Sequence, residues 1–90
     1  MLKSEKQLLN NALDALDRLF DRESNVCEIW ALFFATSCAL RDTDHQPEFE
    51  VVVPTLLTIA RSRDSVETKR DRALDATDSL RLYLARLPIV

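Results

Sequence analysis

Residues 26 to 40, VCEIWALFFATSCAL, hold a single charge, Glu28, together with the one tryptophan and two of the four phenylalanines of the chain. As a helix this stretch would span ~22 Å, short of the ~30 Å hydrocarbon core of a bilayer. It therefore predicts a buried core helix and not a membrane span. On a helical wheel Val26, Ile29, Trp30, Phe33, Phe34 and Leu40 cover one broad side. Glu28, Ala31, Ala35 and Ala39 line the narrow remainder, which suits either the close approach of a neighbouring backbone or contact with solvent. The segments around it are apolar on one side only, so the expectation is a middle helix wrapped by three others.

The first of these segments, Ser4 to Asp21, opens on S-E-K-Q, a capping-box pattern in which Ser4 and Gln7 satisfy each other's free amides. Leu9, Ala12, Leu13, Leu16, Leu19 and Phe20 then recur at helical spacing, opposite Asn10, Asp14, Asp17 and Asp21. Asn25, with Glu28 at the reciprocal position, is placed to cap the central helix, and Arg41 closes it with favourable charge. Within the polar stretch 42–50, Pro47 fits the first turn of a third helix. Phe49, Val52, Val53, Leu56, Leu57 and Ala60 keep helical period straight through Pro54, which falls outside the apolar arc. One helix kinked at Pro54 is the reading, with a break into two short helices as the alternative. A last helix is capped by Asp64 with Glu67, or by Ser65, and runs to about Leu87, where Pro88 ends it. Val66, Ala73, Thr77, Leu80, Leu84 and Leu87 face inward. The expected fold is all-α, a single domain over residues 1–90 forming an up-down-up-down four-helix bundle.

Composition narrows the function classes. The chain has 90 residues and no glycine, which argues against hairpins, phosphate-cradling loops and dinucleotide turns, all of which need positive φ. A net charge of −3 with no basic block argues against binding nucleic acid through phosphates. The N-terminus, MLKSEKQ, turns polar before any apolar run, so no signal peptide is expected and the location is cytoplasmic. Cys27 and Cys38 lie eleven residues apart on one helix, ~16 Å, beyond the ~7 Å limit for a disulfide. They read as reduced thiols in the core of a cytosolic protein.

The sharpest chemical pattern lies on the last helix. Asp64, Glu67, Asp71, Asp75 and Asp78 are spaced three, four, four and three apart, which confines them to an arc of ~80° opposite the apolar stripe. Arg61, Arg72 and Arg86 flank this arc instead of interrupting it. Asp14, Asp17 and Asp21 form a second row on the first helix, and in an antiparallel bundle the first and last helices can be neighbours, merging the rows. The connection DTDHQPEFE adds Asp42, Asp44, Glu48 and Glu50 with no basic residue. All of these are equally the residue types of a solvated outer face. As a functional surface they fit docking of a positively charged partner. Asp42, Asp44, His45 and Glu48 match no calcium-loop spacing, and one histidine does not make a zinc site, so no metal and no cofactor are expected. Catalysis is not expected either: the carboxylates lie on exposed faces, and although Cys38 is near enough to His45 along the chain for contact, both cysteines lie on an apolar helix that does not favour a thiolate.

The NVCEIWALFFATSCAL helix, the DTDHQPEFE loop and the ETKRDRALDATDSLRLYL helix together resemble the small acidic all-helical immunity proteins of bacterial toxin systems. These guard against contact-dependent growth-inhibition toxins and colicin-D-like tRNA-cleaving nucleases. The resemblance implies a binding protein that neutralises the basic nuclease domain of a toxin, its carboxylates occupying the cleft where RNA phosphates would sit. The net charge of this chain is modest, so any such mimicry is local. The other reading is a helical adaptor or regulatory subunit that forms a homodimer through the central helix and its alanine side.

Overall fold

The computed structural model describes residues 3–87, which form five helices and no strand: α1 (Lys3–Phe20), α2 (Val26–Ala39), α3 (Gln46–Arg61), α4 (Val66–Ala76) and α5 (Asp78–Ala85). The stripes seen in the sequence meet in one core, except that Val66, expected to face inward, is exposed at the first turn of α4. Leu9, Leu16 and Leu19 of α1, Ile29 and Phe33 of α2, Phe49, Leu56 and Ile59 of α3, and Leu80 and Leu84 of α5 are all buried. Phe33 packs edge-on against Phe49, with ring centroids 5.5 Å apart. Among the described residues no helix is long and apolar enough to cross a membrane.

Local chemistry accounts for the ends of the helices. Asn25 caps α2: its side-chain oxygen accepts from the Glu28 amide at 2.9 Å, and its side-chain amide donates to the Glu28 carboxylate at 2.9 Å. Ser65, not Asp64, caps α4 by accepting from the Thr68 amide. With no glycine to take left-handed backbone, Arg22 and Asp42 do so, at φ 64° and 66°. After α1 the Glu23 amide donates to the Arg18 carbonyl at 2.8 Å and the Arg22 amide to the Leu19 carbonyl at 3.2 Å, a Schellman end with arginine where glycine is usual.

The capping box expected at Ser4 is not formed. α1 already includes Lys3, so Ser4 sits inside the helix, and the Gln7 side chain donates to Asn11 instead. α3 continues through Pro54 as one helix. Pro54 and Glu50 are both exposed, so the carbonyl deprived of its donor has water to bond. The expected last helix is two, divided at Thr77. The Thr77 backbone departs to φ −100°, ψ 5°, while its hydroxyl and its amide both donate to the Ala73 carbonyl, at 2.7 and 3.0 Å. The end expected at Pro88 lies outside the described residues.

The largest departure concerns α2, which is not wrapped. It packs most extensively against α3, then α1, and buries Val26, Ile29, Phe33, Thr36 and Ser37. Its other side faces solvent: Ala31, Ala35 and Ala39 are exposed, and so is Phe34, at 52%. Cys27 and Cys38 are exposed free thiols, not core groups. Helical rotation explains this. Phe33 and Phe34 differ by 100°, so only one of two adjacent rings can point to the core.

Candidate functional site

α1 and α5 run side by side because Leu16 and Leu19 of one and Leu80 and Leu84 of the other belong to the same core. That packing brings two of the acidic rows together. Asp17 of α1 and Asp78 of α5 line one groove of about 410 Å³, whose remaining walls are Leu16, Phe20, Leu74, Thr77 and Arg81. Phe20, expected in the core, is 65% exposed here. Asp17 also borders a shallower depression toward α2, with Asn11, Asp14, Arg18 and Leu32. Asp21 lies one turn beyond Asp17, and Asp75 lies just before Asp78; both are exposed. Among the described residues Asp14, Asp17, Asp21 and Asp75 make no ion pair, while Asp78 has only a long contact, 3.7 Å, with Arg81.

The rest of the last-helix row is neutralised, against expectation. Asp64 pairs with Arg72 at 2.6 Å, and Asp71 with Arg70 at 3.3 Å. Glu67 binds Arg22 at 3.1 Å and Arg70 at 2.9 Å. These arginines hold the Glu67 carboxyl below its ordinary range, through the hydrogen bond from Arg22 first and that from Arg70 second. Opposite charges therefore do interleave at α4. Asp71 offers a partner less than Asp75 or Asp78 does.

The Arg22–Glu67–Arg70 network lines a small open pocket of about 240 Å³ between the end of α1, the start of α2 and α4. Its cations are engaged, although the buried Nε of Arg70 has no partner among the described residues. Lys69 donates to the Ala60 carbonyl at 3.0 Å and Arg70 to the Phe20 carbonyl at 3.3 Å, fastening α4 to the ends of α3 and α1. The role of Arg22 was not visible in the sequence, because its partner is 45 positions away.

Of the acids in the stretch 42–50, Asp42 and Asp44 lie in the loop, whereas Glu48 and Glu50 lie in the first turns of α3. Asp42, Asp44 and Glu50 are exposed and Glu48 is half-buried, none of them in an ion pair among the described residues. His45 shares a hydrogen bond with the Tyr83 hydroxyl on α5, and the two rings meet at 61°. Burial, then the charges of Glu48 and of Asp44, push the Tyr83 hydroxyl above its ordinary value. Asp78 and Tyr83 are five positions apart on α5, about 140° around the helix. The stretch 42–50 and the α1–α5 groove therefore occupy different sides, and the ten carboxylates picked from the sequence do not merge into one surface. Among the described residues no group of three or more His, Cys, Asp or Glu side chains is placed to hold a metal ion.

Compared with protein-family models, with curated proteins and with solved structures, the chain matches none.

Proposed function

We propose that this chain is a binding protein with no catalytic activity of its own, which docks a positively charged protein surface in the groove between α1 and α5. The observation that carries the reading is the junction of Asp17 and Asp78 beside an exposed aromatic ring, Phe20, in one groove. An aromatic anchor gives contact area, while the unpaired Asp17 and the weakly paired Asp78 steer a cationic partner and reject anionic ones. The resemblance to immunity proteins names the partner: the nuclease domain of a bacterial toxin, whose basic cleft the carboxylates would fill in the cytoplasm. In this reading α4 and α5 act as the two halves of one bundle helix, with α3 kinked at Pro54, in up-down-up-down order. The carboxylates Asp42, Asp44, Glu48 and Glu50 serve as a second contact on the other side of α5.

The experiment is titration calorimetry against the nuclease domain of a toxin encoded beside this chain, with inhibition of RNA cleavage measured in parallel. Tight binding that weakens as salt rises is the expected result. Changing Asp17 and Asp78 together to lysine should weaken it roughly a hundredfold or more while leaving the helical circular dichroism intact. An unchanged affinity in that variant removes the groove from the proposal, and absence of any binding to the nuclease removes the immunity function.

A further inference from the structure

The outward face of α2 belongs to neither acidic patch. Cys27, Ala31, Phe34 and Cys38 follow one another at intervals of four, three and four, the spacing that sets side chains along one seam of a helix. All four are exposed. Ala35 and Ala39 extend the face, and the half-buried Trp30 leans its ring on Phe34, with centroids 5.9 Å apart. The only charge on the helix is Glu28 in its first turn, and Arg41 stands just past its other end. Neither makes an ion pair among the described residues.

A cationic partner gains little from a face with one carboxylate. A second copy gains more, because this face is complementary to itself. We infer that α2 pairs with α2 of a second copy of this chain, antiparallel, about a two-fold axis midway between Ala31 and Phe34. In that register each Phe34 sits over the small Ala31 of the other copy, and each Cys27 faces the other copy's Cys38. Each end of the pair then carries one Glu28 and one Arg41. A parallel pair would set like charges, and like ends of the helix dipole, side by side. The contact is isologous, so it closes at two copies. A 14-residue helix is ~21 Å long and ~10 Å across, which limits this contact to well below the ~800 Å² per partner of a standard interface. The dimer is accordingly weak and dependent on concentration. It leaves the α1–α5 groove open, and it stands whether or not the toxin reading does.

The two cysteines supply a direct test. Within one chain they are ~16 Å apart along the helix, too far to bond, so a Cys27–Cys38 disulfide can form only between copies. Diamide takes two electrons and two protons from a pair of thiols; treating the wild-type chain with it should yield a covalent dimer whose peptide map is dominated by the Cys27–Cys38 link. Sedimentation equilibrium from micromolar to millimolar loading should show monomer and dimer. Phe34→Asp should weaken the association at least tenfold, about 1.4 kcal/mol, with unchanged circular dichroism because that ring is exposed. The charge-reversed Asp17 and Asp78 variant should dimerise like the wild type. A monomer throughout, a map dominated by Cys27–Cys27 or Cys38–Cys38, or a Phe34→Asp variant that still associates would each overturn the inference.

Discussion

Phe33 and Phe34 are adjacent in the sequence and opposite in environment. Phe33 is fully buried and edge-on to Phe49, whereas Phe34 is 52% exposed. Phe33→Ala is therefore expected to cost ~3–5 kcal/mol in urea unfolding, and Phe34→Ala less than ~1 kcal/mol. Equal losses would mean that the two rings share one environment. Tyr83 allows a second test at this scale, because it is the only tyrosine and its ultraviolet titration is unmixed. The shift is upward, caused by burial first and then by Glu48 and Asp44. The native midpoint should accordingly lie above the ordinary ~10 and return to it in urea. The sign follows from linkage. The folded state favours the neutral phenol, so this contribution to stability is complete below the unfolded value and is lost as pH rises through the folded one. Glu48→Lys should bring the midpoint down; an unmoved midpoint would place that carboxylate away from the ring.

The helices were legible where the physics is local. Apolar residues three and four apart located α1, α2 and α3, and Asn25 and Ser65 marked two of the starts. The division at Thr77 was not legible, since no glycine or proline announces it and a threonine at an inward position looks like an ordinary core residue. Its buried hydroxyl donates to the Ala73 carbonyl. Thr77→Val keeps the shape and removes that bond, and is expected to cost about 1 kcal/mol, read by thermal unfolding followed at 222 nm. A gain in stability would show that the back-bond strains the junction more than it supports it. The hydrophobicity of α2 misled for a different reason. A helix apolar all round normally signals complete burial, but burial is set by how many neighbours a short chain can supply. Here α1 and α3 cover one side only, leaving Cys27, Ala31, Phe34 and Cys38 outside.

Over the whole molecule, charge placement was the least legible level. The sequence shows which carboxylates share a helix face, yet pairing depends on chain segments far apart, such as Arg22 with Glu67. Three of the five acids in the last-helix row are balanced by close arginines, while Asp14, Asp17 and Asp21 of α1 and the acids of the stretch 42–50 make no ion pair among the described residues. The groove where Asp17 meets Asp78 follows from the packing of α1 on α5, which adjacency in an antiparallel bundle did anticipate. The stretch 42–50 falls on another side because Tyr83 and Asp78 point in different directions from α5.

α4 differs from the other elements in what fixes it. Its one fully buried side chain is Ala73, with Leu74 and Ala76 only partly buried against the core, and its other ties to the body are polar contacts from Glu67, Lys69 and Arg70. Such contacts break without exposing much oil to water, so α4 is free to open by itself while α1, α2 and α3 stay closed. Native-state hydrogen exchange should find the amides of α4 the fastest to take up deuterium among the helix interiors, and faster still in high salt, which loosens the Glu67 contacts. Uniform protection across all five helices would show instead that the molecule opens only as a whole.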